Sequence, residues 1–197
     1  MKHWSLLPVA LAALLVLAGC KTSATRTDYL STYDNLEPSN GGQAYQADPA
    51  DLAAVKAVYV EPVELRLDSK GNVSAEHARV LAGELQQALT DAIRPHRTVV
   101  SSPSPDVARL RVALTRVRKG VWLLNLHPGA KVMGSGLGGA AIEAELLDSS
   151  GRQLWALVEM RKGNQMEVDT FDELDDPRDA IEHWRGVVAA LFAPPAP

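Results

Sequence analysis

Three patterns of apolar residues divide the chain. An almost unbroken run covers residues 6–18, alternation with a period of two returns several times after residue 57, and two stretches carry apolar residues at helical spacing. Within residues 57–67, Val63, Leu65 and Leu67 interleave with Glu64 and Arg66, which predicts a strand with an irregularity at Pro62. A turn follows at Asp68-Ser69-Lys70-Gly71-Asn72. Ser74 is placed to cap a helix whose Ala78, Leu81, Leu85, Leu89, Ala92 and Ile93 form one stripe until Pro95 stops it. Residues 98–101 predict a short strand, which Ser102-Pro103-Ser104-Pro105 cannot continue. Next, Leu110, Val112 and Leu114 alternate with Arg109, Arg111 and Ala113, and Ile142, Ala144 and Leu146 alternate with Glu143 and Glu145. Each of these strands is expected to keep one wet face, with Arg109 and Arg111 opposite Glu143 and Glu145. After the turn at Asp148-Ser149-Ser150-Gly151, Leu154, Ala156, Val158 and Met160 alternate with Trp155, Leu157, Glu159 and Arg161, completing a hairpin. Residues 179–192 carry Ile181, Trp184, Val188 and Leu191 at helical spacing behind an acidic entry. The order strand, helix, four strands, helix predicts a single α+β domain over residues 52–193. Its sheet is expected to be mainly antiparallel, with two helices packed on one face, and residues 194–197 form a Pro-rich tail.

The apolar run at the start has a different meaning. Lys2 precedes it, thirteen residues are too few for the roughly 20 that span a bilayer as a helix, and small residues close it, which is the pattern of a signal peptide over residues 1–19. Leu17-Ala18-Gly19-Cys20 resembles the lipobox of bacterial lipoproteins. That resemblance implies cleavage between Gly19 and Cys20, with lipid on the Cys20 sulfur and a further acyl chain, such as palmitate, on the new amino group. The protein is then anchored to a lipid bilayer through acylated Cys20, because several acyl chains hold where one does not. Lys21 stands where many lipoproteins retained in the inner membrane carry Asp, so the periplasmic face of the outer membrane is the expected address. Residues 20–51 are polar and read as the lipidated cysteine and a flexible tether, with a reach on the order of 30 Å. One patch interrupts it: Tyr29, Tyr33 and Leu36 fall on one side of a short helical turn and are expected to dock on the domain itself.

Composition narrows the chemistry. With 20 Lys and Arg against 24 Asp and Glu the formal net charge is -4, which argues against a nucleic-acid partner. A single cysteine excludes an internal disulfide, a four-cysteine zinc site and a dithiol redox pair. Gly134, Gly136 and Gly139 spell G-x-G-x-x-G, but a strand follows them where a dinucleotide site needs a helix. His77, His96, His127 and His183 are scattered, and although Asp179 and His183 share a helix face, a surface ion pair is the simpler reading. The acidic positions Asp169, Asp172, Glu173, Asp175, Asp176 and Asp179 lack calcium-loop spacing. No serine sits in G-x-S-x-G or S-x-x-K. No catalytic residue, metal or cofactor is therefore assigned, and an enzyme is not expected. One stretch, residues 116–128, sets Arg118 and Lys119 beside Trp122, Leu123 and Leu124. These five residues either cover an open edge of the core or form a contact for an envelope protein or lipid.

The lipobox, Asp28-Tyr29-Leu30 with Tyr33 and Leu36, the segment Val60-Glu61-Pro62-Val63, the strand at residues 109–115, the run at residues 139–148 and the final tryptophan helix occur in this order. Together they resemble the bacterial lipoproteins of the domain of unknown function 3313 family. The resemblance implies a periplasm-facing lipoprotein domain and carries no catalytic residues. The expected function is a non-enzymatic binding or auxiliary subunit of the envelope; the alternative is a carrier of a small ligand or lipid.

Overall fold

A computed structural model describes residues 26–120, 138–163 and 174–194. In chain order the elements are strands β1 (Glu37–Ser39) and β2 (Gly42–Gln46), helix α1 (Pro49–Ala54), strands β3 (Ala57–Val60) and β4 (Glu64–Leu65) and helix α2 (Ala75–Ile93). Then come β5 (Thr98–Val100), β6 (Ala108–Arg118), β7 (Gly139–Leu147), β8 (Gln153–Lys162) and α3 (Asp175–Phe192). Pro62 divides β3 from β4, as its missing N–H requires. Ser74 caps α2 by accepting the His77 N–H at 3.1 Å. Asp148 Oδ1 accepts the N–H groups of Ser150 and Arg152, closing the β7–β8 hairpin turn.

The α+β class holds, but the sheet is mixed rather than mainly antiparallel. Its order is β1-β2-β8-β7-β6-β3-β5, with β4 also pairing with β6. From β1 to β6 every pairing is antiparallel, whereas β3 runs parallel to both β5 and β6 and β4 runs parallel to β6. The cause is α2: a helix that crosses over the sheet returns the chain at the end where β3 began, so the next strands must run the same way. Period-two alternation is identical for either direction and therefore did not reveal this. The described residues also hold three helices rather than two, because α1 forms within and just after the segment read as tether, capped by Asp48.

Leu81, Leu85 and Leu89 of α2 and Trp184, Val188 and Phe192 of α3 pack on the sheet face formed by Leu110, Val112, Leu114, Ile142, Ala144 and Leu146. The opposite face is not wet. All nine residues of β7 are buried, Glu143 and Glu145 included. The cover is the amino-terminal segment: from Arg26 onward the supposed tether belongs to the domain, first as a strap over residues 26–36 and then as the β1–β2 hairpin at the edge of β8. Tyr29 and Leu30 are buried there with Ala113, Ala156 and Val158, and Tyr33 and Leu36 pack beside them. Docking on the domain is thus as expected, but the strap is irregular rather than a helical turn. Asp28 takes a φ of 57°, a left-handed conformation that Asp tolerates better than most residues and that turns the chain down onto the sheet.

Candidate functional site

Among the described residues a dense cluster of hydrogen bonds lies where the strap crosses β7. Glu145, 0% exposed, accepts from the Arg111 guanidinium at 2.5 Å, the Ser31 N–H at 3.0 Å, the Ser31 hydroxyl at 2.7 Å and the Gln153 amide at 2.9 Å. Glu143, equally buried, accepts from the Thr27 N–H and the Tyr33 hydroxyl. That hydroxyl in turn accepts the Tyr29 N–H at 2.9 Å. A carboxylate stripped of water is stable only with partners of this kind, so the two glutamates and the strap specify one another. Burial and the bond to Glu143 push the Tyr33 phenol up to about 12, and burial raises that of Tyr29 against the opposing pull of Arg111. The Arg111 and Arg66 guanidinium carbons lie 4.8 and 5.1 Å from the centre of the Tyr29 ring, so two cations contact its π face.

Arg111 was expected opposite the glutamates, and the register pairs it directly with Glu145; Arg109 instead reaches Glu61 at 3.3 Å. Arg111→Ala is expected to cost about 2 to 3 kcal/mol in urea unfolding. This is less than the usual penalty for breaking a buried pair, because Ser31 and Gln153 remain on Glu145. A change under about 0.5 kcal/mol would show that Glu145 carries no charge needing a counter-ion.

A third buried carboxylate, Glu159, lies on the helix side of β8 and was missed. Its Oε2 accepts the Trp184 indole N–H at 2.9 Å and lies 3.2 Å from His183 Nε2, with Arg161 Nη1 3.8 Å from Oε1. His183 thus meets a sheet glutamate rather than serving only as a helix-surface partner of Asp179. A signal existed in the sequence: Glu159 occupies the same alternate set as Trp155 and Leu157, a polar residue in an apolar series. The partners of all three carboxylates are backbone N–H groups, hydroxyls, guanidiniums, an amide, an indole and an imidazole. This chemistry holds charge in place.

The residues singled out from the sequence are not brought together in one site. Gly19, Cys20, Trp122, Leu123 and Leu124 lie outside the described residues, as do His127, Gly134, Gly136, Asp169, Asp172 and Glu173. Arg118 is exposed at the end of β6, and the Lys119 N–H donates to Asn72 Oδ1 at 2.7 Å. Gly139, the third glycine of G-x-G-x-x-G, opens β7 with a φ of 148°, and a Cβ there would lie 2.1 Å from the Arg161 carbonyl oxygen. Close strand approach explains that glycine. Asp176, from the acidic entry of α3, accepts the Gly138 N–H at 2.6 Å. Among the described residues no three His, Cys, Asp or Glu side chains are grouped to hold a metal.

At the other end of the sheet an open groove of about 590 Å³ is lined by Ala53, Lys56, Arg94, His96, Arg97 and Thr98 among others. Its cations are engaged. Arg94 pairs with Asp91 at 2.6 Å, Lys56 donates to the Ala53 carbonyl, and Arg97 donates to the carbonyls of Leu52, His96 and Phe192. Arg97 thereby neutralises carbonyls at or near the carboxyl ends of all three described helices, a structural task.

No curated protein matches the sequence. Among solved structures, the PelC dodecamer from Paraburkholderia phytofirmans shares 16% identity with a TM-score of 0.50, covering 77% of this chain and 96% of that one. Protein XCC0632 from Xanthomonas campestris, of DUF330, shares 13% identity with a TM-score of 0.45, covering 70% and 83%. A putative neuraminyllactose-binding hemagglutinin homolog from Helicobacter pylori shares 6% identity with a TM-score of 0.42, covering 84% and 92%. A family model spanning residues 25–186 takes in the strap as well as the sheet, and by that match the chain belongs to the family described as protein of unknown function DUF3313.

Proposed function

We propose that this protein is a bacterial envelope lipoprotein, anchored through acylated Cys20 on the periplasmic side of the outer membrane. Its α+β domain is a non-enzymatic binding or auxiliary subunit. The observation that carries the reading is Leu17-Ala18-Gly19-Cys20 at the end of a short apolar run, ahead of the polar stretch that leads into the domain. Among the described residues no helix is long and apolar enough to cross a membrane, in keeping with a domain held by lipid. The partner is an envelope protein or lipid, and Trp122, Leu123 and Leu124 with Arg118 and Lys119 are its candidate contact. The carrier reading draws less support. The space between helices and sheet is filled by large side chains such as Trp184, Phe192 and Leu85, and the open groove is lined by cations unsuited to an acyl chain.

Cys20→Ser tests the anchor, because only the thiol accepts the diacylglyceryl group. Incorporation of labelled fatty acid is expected to disappear, with the chain remaining an uncleaved precursor. Label retained by the serine variant would refute lipidation at Cys20. Affinity capture with the intact acylated protein then identifies the partner.

A further inference from the structure

The β1–β2 hairpin turns on two residues, Asn40 and Gly41, between the paired Ser39 and Gly42. Asn40-Gly41 is the only place in the chain where an asparagine precedes a glycine; Asn35, Asn72, Asn125 and Asn164 precede Leu, Val, Leu and Gln. The side-chain amide of an asparagine is open to attack by the backbone nitrogen that follows it, which makes asparagine thermolabile in proteins. A following residue without a Cβ leaves that approach unobstructed.

The attack also needs a backbone N–H that is not already engaged, and the turn leaves one. Gly41 takes a φ of 92°, a sign that Asn40 does not share. That order belongs to a type II turn, whose own bond joins the two flanking residues and bypasses the N–H of the third position. Among the described residues the Gly41 N–H meets no acceptor, and the exposed Asn40 side-chain amide meets no partner. The other described asparagines differ. Leu36, which follows Asn35, donates its N–H to the Tyr33 carbonyl at 3.2 Å, and the Asn72 side-chain oxygen is held by the Lys119 N–H at 2.7 Å.

We propose that Asn40 deamidates spontaneously, without an enzyme, and that the product loosens the β1–β2 hairpin from β8. The Gly41 nitrogen, having given its proton to a solvent base, bonds to the Asn40 side-chain carbonyl carbon. The bond from that carbon to Nδ2 then breaks, and ammonia leaves with a proton taken from water, closing a cyclic succinimide. Water opens the ring on either side. Attack at the side-chain carbon gives aspartate; attack at the main-chain carbon gives isoaspartate, whose backbone runs through the former side chain and is one carbon longer. Water is consumed and ammonia released, and nothing is oxidised or reduced. Both products add a negative charge to a turn whose Gly41 backbone already lies against Glu159, where a Cβ would be 3.0 Å from Oε1. Arg161, 3.8 Å from the same oxygen, offsets only part of that repulsion. Isoaspartate also lengthens the turn, and Gly42 cannot move inward to absorb the added carbon, because a Cβ there would lie 1.9 Å from the Val158 carbonyl oxygen.

The test ages the purified full chain in warm, mildly alkaline buffer and follows each asparagine by peptide mass spectrometry, with enzymatic methylation of isoaspartate to tell the two products apart. The peptide carrying intact Asn40 is expected to be lost several-fold faster than those carrying Asn35 or Asn72, and faster still as pH rises. Urea unfolding of the aged chain should then show a lower midpoint, while an Asn40→Gln chain aged alongside keeps its own. Loss of Asn40 no faster than Asn35, or only after urea has unfolded the chain, overturns the site. Deamidation that leaves the midpoint unchanged overturns the loosening. An equal fall in the Asn40→Gln chain assigns the fall to another lesion and overturns the loosening as well.

Discussion

A chain that begins at Asp48, lacking the strap and the β1–β2 hairpin, is expected to lose roughly 5 kcal/mol of stability or to show no cooperative unfolding transition. Tyr29 and Leu30 are 3% and 6% exposed, and burying two large side chains contributes about 3 to 6 kcal/mol. The entropy regained by the freed strap offsets part of that loss. Truncation also strips Glu143 of Thr27 and Tyr33, strips Glu145 of Ser31, and leaves β8 an unpaired edge. A domain whose whole stability is about 5–15 kcal/mol has little margin for such a change. Urea unfolding followed by circular dichroism measures it, and a truncated chain with an unchanged midpoint would show that the strap is a passenger. Alkaline pH offers a second reading of the same contact. Tyr33 has a folded pKa raised from 10 to about 12, so its contribution is fully present below pH 10 and declines as pH rises through 12. Tyr33→Phe should flatten that decline.

Trp184→Ala is expected to cost about 4 kcal/mol, the range typical of truncating a fully buried aromatic. Trp184 is 1% exposed between the helices and the sheet, so the cavity has no route to solvent relief. The indole also holds Glu159, and the two contributions separate with Trp184→Phe. That variant keeps most of the ring volume but removes the N–H, and should cost about 1 to 3 kcal/mol, the penalty for a buried charged acceptor losing a donor. Equal losses for Ala and Phe would assign the whole effect to the hydrogen bond. A negligible loss for Phe would show that His183 alone satisfies Glu159.

The local order of strands and helices was legible from the sequence because each pattern reports a local fact. Leu110, Val112 and Leu114 face one side whatever lies above them, Ser74 starts α2 through a bond to its own third neighbour, and Pro62 and Pro95 interrupt the backbone where they stand. The expected address rests likewise on contiguous residues ending at Cys20. Strand direction and the fate of the second sheet face were decided by tertiary structure. Alternation in β7 marks Glu143 and Glu145 as different from Ile142 and Ala144, but it does not say whether that second face meets water or protein. The answer lies in Thr27 and Ser31, 116 and 114 positions away, in a segment whose short strands Glu37–Ser39 and Gly42–Gln46 are polar and partly exposed and so carry no periodicity to announce them. A polar segment becomes part of the core here because its tyrosines bring apolar area and its N–H and hydroxyl groups supply what two desolvated carboxylates require. Neither half of that exchange is favourable alone, and only the three-dimensional structure brings the halves together.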